Sequence, residues 1–283
     1  SAKGFHPLLN KKGNGIHPNC KVWRAPKGQL KKSRSGRITQ PKTPPISFVI
    51  SNLAERKMLP AIYFIFSRRG CDKAVANIKD LTLVNYKEAS LINEKLSKYI
   101  KNNQEGIKDK INFEALKRGV ASHHAGQLPA WKEFVEELFQ MGLIKVVFAT
   151  ETLAAGINMP ARTTIISSLS KRTENGHRLL FSSEFLQMSG RAGRRGKDTQ
   201  GYVVTVQNRF EGAKEASILA TSEPNPLISQ FTPSYGMVLN LLQNYSIEKS
   251  RELIKRSFGS FVYLEESANE NLNITNLNDE LNN

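Results

Sequence analysis

The sequence predicts an α/β domain in which helices cover both faces of a parallel β-sheet. Short apolar runs rich in β-branched and aromatic residues, such as AIYFIFS at residues 61–67, are typical of buried parallel strands. Amphipathic stretches alternate with these runs, and turns that contain Gly or Pro separate them. Strands that alternate with helices favour a parallel sheet, because each helix can carry the chain back across one face.

The elements of this domain follow from the order of the apolar patterns. Residues 129–141 show the clearest helix, because Pro129 suits its first turn, one face is apolar, and Gly142 suits its end. Further helices are predicted over residues 71–80 and 185–195. Strands are predicted at residues 61–67, 120–123, 144–150, 163–169 and 201–206.

Both ends of the chain depart from this alternation. Residues 10–45 are rich in Lys, Gly, Pro and Ser without periodicity, which predicts an irregular connector. Residues 235–242 and 247–258 predict two short amphipathic helices, the start of a small helical module. Beyond residue 267 the chain is mostly Asn, Leu and acidic residues, with little commitment to regular structure.

The net charge of +16 over 283 residues is concentrated near one end. Residues 1–45 contain eleven Lys and Arg and no Asp or Glu. Such a segment attracts polyanions, because neutralising phosphates releases condensed counterions; a solvated linker that binds nothing is the alternative. No apolar run approaches the ~18 residues of a membrane span. Two cysteines, Cys20 and Cys71, exclude a disulfide framework and an unaided structural zinc site.

The decapeptide QMSGRAGRRG at residues 187–196 carries the clearest chemistry. Arg191 and Arg194 are three residues apart, so on a helix they would project from one face as a charged fork that suits phosphate oxygens. Gly190 and Gly193 would keep that face open to a phosphate. A basic helix end that satisfies the helix dipole or forms surface ion pairs is the alternative interpretation.

Four elements, in order, resemble the motifs of superfamily-two helicases. QMSGRAGRRG resembles motif VI, and TETLAAGINMPA at residues 150–161 resembles motif V with the Asn-Met-Pro-Ala ending of the superkiller-like DExH branch. SHHAG at residues 122–126 is similar to the His-His-Ala-Gly element of that branch, and residues 61–70 lie where motif IV belongs. The segment FIFSRRGCD at residues 64–72 is most similar to cyanobacterial and chloroplast members.

The resemblance covers nearly the whole chain and implies its division into domains. Residues 46–210 would form the second RecA-like domain, a parallel sheet with helices on both faces. Residues 1–9 would end the first RecA-like domain, and the basic connector 10–45 would join the two. Residues 211–265 resemble the start of a winged-helix domain. The Asn-rich tail, residues 266–283, departs from the relatives and receives no functional assignment.

Two hallmarks of ATP-hydrolysing helicases do not occur in these 283 residues. The only Gly-Lys pair is Gly196-Lys197, followed by Asp198, so the chain has no Gly-x-x-x-x-Gly-Lys-Ser/Thr loop. It also has no Asp-Glu-x-His. We therefore expect a fragment of a longer helicase, inactive alone, in which ATP and Mg²⁺ are held mainly by the first RecA-like domain.

The resemblance assigns nucleotide-facing roles to two of the motifs. Arg191 and Arg194 would act as catalytic arginine fingers that reach the γ-phosphate from across the interdomain cleft. Gln187 would face the same cleft, and Gly190 belongs to the same nucleotide-binding set. Cofactor-binding roles also fall on Gly156 and Asn158, although Asn158 stands where some helicase branches carry Asp.

Nucleic-acid contacts are expected where strands end. Ligands of open α/β sheets bind at the carboxyl ends of strands, and hydroxyls and backbone amides there can bond a single-stranded backbone without reading bases. The alternative for His123 and His124 is structural, with one packed under the sheet and the other solvated, and no ligand spacing favours a metal. The expected contacts are Ser67, Arg68, His124, Gly126, Thr150, Glu151 and Thr152.

The predicted function is that of an ATP-dependent RNA helicase, with single-stranded RNA and the first RecA-like domain of the same polypeptide as partners. The sequence leaves open a DNA helicase of the repair type, because phosphate contacts do not read the sugar. A non-catalytic nucleic-acid-binding adaptor is a third hypothesis. The predicted compartment is the cytoplasm, or the chloroplast stroma in a plastid-bearing host, with no membrane partner.

Overall fold

The computed structural model describes residues 5–13, 15–21, 43–103, 110–156, 158–173, 176–208, 211–227, 229, 231, 233–264 and 267. Its contacts divide the chain into one unit over residues 1–224 and a second over residues 225–283. Much of the predicted basic connector and nearly all of the Asn-rich tail lie outside the described residues. The domain limits assigned from the resemblance therefore stay a prediction.

The first unit is built on a five-stranded parallel sheet. Its strands are β1 (Ala61–Phe64), β2 (Val120–His123), β3 (Val146–Ala149), β4 (Thr163–Ile166) and β7 (Tyr202–Thr205), in the spatial order β2-β3-β1-β4-β7. Two short antiparallel strands, β5 (Ser170–Thr173) and β6 (Gly176–Leu179), form a separate hairpin. The predicted parallel sheet and its five strands are confirmed, each within the span expected from the sequence.

Helices connect the strands and cover the sheet. In the described part of the first unit they are α1 (Pro18–Lys21), α2 (Ile46–Glu55), α3 (Arg68–Asn77), α4 (Tyr86–Asn102), α5 (Lys110–Lys117), α6 (Pro129–Gln140), α7 (Thr152–Gly156), α8 (Ser182–Ser189) and α9 (Ala213–Thr221). The helix predicted from Pro129 is confirmed. The helix predicted over residues 71–80 begins three residues earlier, because the Ser67 hydroxyl caps it by accepting from the Gly70 amide.

Two apolar cores show that helices lie on both faces. Successive residues of a strand point to opposite sides, so Ile62 and Phe64 of β1 join one core while Ala61 and Tyr63 join the other. The first core is covered by α4, α6, α8 and α9, and the second by α2 and α3. This burial on both sides explains why the strands are continuous apolar runs. The predicted fold class is confirmed.

One predicted helix is wrong in its extent. The sequence suggests a helix over residues 185–195, but α8 ends at Ser189 and Gly190 caps it. Beyond the cap, Gly193 takes a φ of +91°, a left-handed conformation that a helix does not contain. The Gly193 amide donates to the Ala161 carbonyl at 2.7 Å, so a tertiary contact turns the chain out of the helix.

The second unit contains the two predicted C-terminal helices. They are α10 (Tyr235–Asn244) and α11 (Ile247–Lys255), and the second ends three residues before the predicted limit. The hydroxyls of Ser234 and Ser246 cap them by accepting from backbone amides three residues on. Among the described residues, no helix combines the length and apolar character that a membrane crossing requires.

Candidate functional site

A cleft of about 420 Å³ opens at the carboxyl ends of β1, β2 and β3. Because these strands run parallel, the segments that follow them meet at one edge of the sheet. Four basic side chains and one carboxylate border the cleft, so an anion is favoured there. Its lining consists of Phe66, Arg68, Ala125, Thr150, Glu151, Thr152, Lys171, Arg172, Thr173 and Arg178.

The structure brings four of the predicted nucleic-acid residues into this cleft, namely Arg68, Thr150, Glu151 and Thr152. The Thr150 and Thr152 hydroxyls lie 2.9 Å apart and share a hydrogen bond. Gly126 lies beside Arg68, because a Cβ added at Gly126 would stand 3.3 Å from the Arg68 Cδ. Glycine at 126 therefore lets the loop after β2 approach the arginine closely.

His124 is not among the residues that line the cleft, and it is only 5% exposed. Its Nε2 lies 2.9 Å from an Asp72 carboxylate oxygen, and its Nδ1 accepts from the Gly126 amide at 3.2 Å. Both ring nitrogens thus have protein partners, so the side chain shapes the loop after β2 and ties it to α3.

His123 is also buried, in contrast to a pair in which one ring is solvated. Its Nε2 lies 2.7 Å from a Glu136 carboxylate oxygen on α6. Burial lowers the pKa of His123, and the opposing effect of Glu136 does not overcome it. The two histidines therefore fasten β2 and the loop after it to the helices beside them.

The hairpin of β5 and β6 supplies cleft residues that the motif comparison misses. Lys171, Arg172 and Thr173 come from its first strand and Arg178 from its second. At its base, Glu211 accepts from the Leu169 amide at 2.6 Å and from the Ser168 and Ser170 hydroxyls. The Asn-Gly pair at residues 175–176 is a hairpin signal that could have revealed this element in the sequence.

The motif VI arginines do not project from a helix face. Both follow α8 in the turn that Gly193 makes, so the expected helical fork is wrong. Arg191 donates from Nε to the Ala154 carbonyl at 3.0 Å, which fastens the turn to α7. Arg194 donates from Nε and Nη2 to the two carboxylate oxygens of Asp198 at 2.8 and 2.9 Å.

Asp198 orients Arg194 from within the protein. Its side chain is 2% exposed, and it also accepts from the Arg194 backbone amide at 3.0 Å. The hydrogen bonds from Arg194 hold the pKa of Asp198 below its usual value despite burial. One edge of the guanidinium is thereby held against Asp198, which fixes the plane in which the arginine presents its remaining N–H groups.

The motif VI turn is joined to the motif V loop through the backbone. Ala161 and Ala192 form a parallel bridge, in which the Ala161 amide donates to the Arg191 carbonyl at 2.9 Å. Gln187 lies exposed on α8, and Gly190 is its exposed cap. Gly156 and Asn158 lie exposed on the segment that runs from α7 to this bridge. The predicted nucleotide-binding residues are therefore carried by two joined segments.

Gly201 sets the position of the motif VI turn. A Cβ at Gly201 would lie 2.6 Å from the Gly193 nitrogen and 2.7 Å from the Ala192 carbonyl carbon, both backbone atoms that cannot rotate away. We expect Gly201→Ala to destabilise the first unit by about 1–3 kcal/mol through overpacking. Urea unfolding of this chain measures it. Gly236→Ala on α10 is the matched control, since its Cβ meets open space among the described residues; equal unfolding midpoints for both variants would contradict the expectation.

The two groups of residues lie at opposite ends of the sheet. The cleft lies beyond the carboxyl end of β3, whereas the Ala161–Ala192 bridge precedes the amino end of β4. The segment through α7 and the helix α8 both span the distance between these ends. Within the described residues, no group of three or more His, Cys, Asp or Glu is placed to hold a metal ion.

Several known helicases are similar in sequence to this chain. The profile of the helicase conserved C-terminal domain matches residues 62–196. A chloroplastic DExH-box ATP-dependent RNA helicase of Arabidopsis thaliana is 46% identical over 92% of this chain and 24% of its own length. The probable helicase HelY of Mycobacterium tuberculosis is 39% identical over 82% of this chain and 26% of its own. The antiviral helicase SKI2 of Saccharomyces cerevisiae is 39% identical over 74% of this chain and 17% of its own length. The chain thus spans about a quarter or less of these relatives.

Proposed function

Because this chain belongs to the superfamily-two DExH helicases of the superkiller-like branch, we propose that it is the second motor half of an ATP-dependent RNA helicase. In this proposal the chain grips single-stranded RNA at the carboxyl edge of its sheet and completes an ATPase site with its motif VI turn. The P-loop half belongs to a longer polypeptide, called here the two-domain protein. The compartment, cytoplasmic or stromal, stays a prediction.

The observation that carries this proposal is the cleft beside the hairpin. Cations and hydroxyls line it, which suits phosphodiester groups better than neutral ligands. Arg68 and Arg172 supply positive charge to its lining, and Phe66 adds an aromatic ring of the kind that stacks on bases. Such contacts read the backbone and the bases' faces, so binding would tolerate many sequences.

Motif VI supplies the nucleotide side of the proposed motor. ATP hydrolysis provides the free energy that a helicase couples to movement. Arg194 suits the developing charge at the γ-phosphate, because Asp198 holds its guanidinium in one orientation before nucleotide binds. Arg191 fastens the turn to α7 and so keeps Arg194 in register with the motif V loop. We assign the triphosphate cradle and Mg²⁺ to the P-loop half.

RNA is favoured over DNA as the substrate. The relatives from Arabidopsis thaliana and yeast are named as an RNA helicase and an antiviral helicase, whereas the mycobacterial name does not specify the nucleic acid. The contacts available in the cleft are suited to phosphates, and only contacts to the 2′-hydroxyl would separate the two sugars. A DNA motor is thus the alternative that the test must distinguish.

The test is ATP hydrolysis by the two-domain protein with single-stranded RNA, with single-stranded DNA and with neither, beside this chain alone. We expect stimulation by RNA and no hydrolysis by this chain. Equal or greater stimulation by DNA would replace RNA with DNA as the substrate. No hydrolysis by the two-domain protein, together with RNA binding by this chain, would overturn the motor and leave a nucleic-acid-binding adaptor.

A further inference from the structure

Two cations of the hairpin stand directly opposite one another. Lys171 of β5 and Arg178 of β6 are cross-strand partners in the antiparallel register. Like charges in such a pair repel, so the hairpin needs an anion between them. Glu184, in the first turn of α8, supplies it: Lys171 lies 2.7 Å from its Oε1, and Arg178 donates to both of its oxygens at 2.8 and 2.9 Å.

Glu184 also anchors the start of α8. Its Oε2 accepts from the Phe181 amide at 2.8 Å, and the Arg178 guanidinium stacks 3.9 Å above the centre of the Phe181 ring. Burial alone would raise the pKa of Glu184, but the bonds from Arg178, Lys171 and the Phe181 amide lower it to about 2. The carboxylate is therefore charged at every physiological pH and holds both strands of the hairpin to the helix.

The same two cations face the nucleic-acid cleft. Of the residues that the structure describes, those lining the cleft include Lys171 and Arg178 but not Glu184. Lys171 also lies 2.8 Å from Glu151, which stands between the two threonines that follow β3. A phosphate in the cleft would compete with Glu184 for these cations, because both anions accept charge-assisted bonds from the same donors.

Helix α8 connects this network to the motif VI turn. Glu184 lies in its first turn, Gln187 lies one turn later, and Arg191 follows its end. α8 is one hydrogen-bonded helix of eight residues, about 12 Å long. A change in the bonds that hold Glu184 would therefore be transmitted through α8 to the segment that carries the proposed nucleotide contacts.

We propose that Glu184 is a positioning residue that couples the two sites by exchanging Lys171 and Arg178 with the phosphates of bound RNA. Without RNA, Glu184 holds both cations and so fixes the first turn of α8. With RNA, phosphates share the cations and release that turn. The inference rests on the proposed function. Coupling between two binding sites is reciprocal, so nucleotide must change RNA affinity by the same route.

For Glu184→Gln the exchange predicts changes in opposite directions: RNA affinity rises, and the stimulation of ATP hydrolysis by RNA falls. Glutamine keeps an oxygen for the Phe181 amide but no longer competes for the cations. We expect the affinity of this chain for single-stranded RNA to rise about three- to ten-fold, because Arg178 loses its carboxylate partner and, of the two carboxylates beside Lys171, only Glu151 remains. In the two-domain protein, we expect the ratio of hydrolysis rates with and without RNA to fall at least five-fold, the lower limit of typical coupling.

A matched variant and a second substitution separate this mechanism from a loss of structure. Glu137→Gln removes the same charge from a surface pair with Lys95, and we expect it to leave both measurements unchanged. Lys171→Met removes one exchanged cation, so RNA affinity should fall while the ratio of hydrolysis rates also falls. A merely structural role would lower RNA affinity in Glu184→Gln as well.

Two results would overturn the inference. One is an RNA affinity of Glu184→Gln equal to or below that of Glu137→Gln, with equal melting temperatures. The other is an unchanged ratio of hydrolysis rates in both Glu184→Gln and Lys171→Met. If the unsubstituted two-domain protein shows no stimulation by RNA, the proposed function fails instead, and the RNA affinities of this chain still test the exchange of cations.

Discussion

Arg194→Ala in the two-domain protein should lower RNA-stimulated kcat by about 10³-fold or more, as the loss of arginine fingers does in related phosphoryl-transfer enzymes. The physical reason is that Asp198 already orients the guanidinium, so in the proposed motor it would stabilise transition-state charge without reorganising. Steady-state hydrolysis over a range of ATP concentrations measures the effect. We expect it mainly in kcat, because the contact strengthens as charge develops.

Arg195→Ala is the matched control for Arg194→Ala. Arg195 is exposed and adjacent in sequence, so its replacement removes the same charge without disturbing Asp198. Arg194→Ala leaves Asp198 with Arg162 at 3.9 Å as its nearest cation, and the melting temperature must therefore be followed as well. A kcat within two-fold of the Arg195→Ala value, in a folded protein, would refute the role of Arg194.

Phe148→Ala should destabilise the first unit by about 3–5 kcal/mol, the usual cost of removing a buried aromatic ring. Phe148 is fully buried on β3, which has a strand on each side, and its ring centre lies 5.4 Å from that of Tyr63. Because small domains have about 5–15 kcal/mol of net stability, this loss would leave a measurable unfolded population. Urea unfolding of this chain gives the value.

The control for this prediction is Val203→Ala on the edge strand β7. Val203 is 43% exposed, so its truncation should cost less than about 1 kcal/mol. If the two variants unfold at the same denaturant concentration, β3 does not form the core described here. The comparison also bears on function, since β3 leads directly into Thr150 and the rest of the motif V loop.

The strands of the sheet were predictable because their signal is local. Each is buried on both faces, so each is a short apolar run that stands out from its surroundings, and β2 matches its predicted limits. The helix at Pro129 was equally clear, since a proline start and an apolar face coincide in one segment. The family was likewise readable, because its motifs are short and contiguous.

The detailed geometry of the motifs was not predictable, because long-range contacts decide it. Helical spacing implied a fork of Arg191 and Arg194, but the bridge between Ala161 and Ala192 ends α8 earlier and turns the chain. His124 looked like a ligand contact, yet its ring is bonded to Asp72, which lies 52 residues away in the chain. In both contacts, Ala161 with Ala192 and Asp72 with His124, the two residues are too far apart in sequence for residue spacing to reveal the contact.

The sequence by itself determined the parallel sheet, the order of its strands along the chain and the motifs that identify the helicase family. These properties depend on side-chain periodicity and on contiguous residues. Only the tertiary structure decided that Arg194 is oriented by Asp198 and that the hairpin borders the cleft. It also decided that Glu184 holds Lys171 and Arg178. The reason is that the turn at Gly193 sets the pair of Arg194 and Asp198, while distances between segments set the pairs of Glu184, and folding determines both.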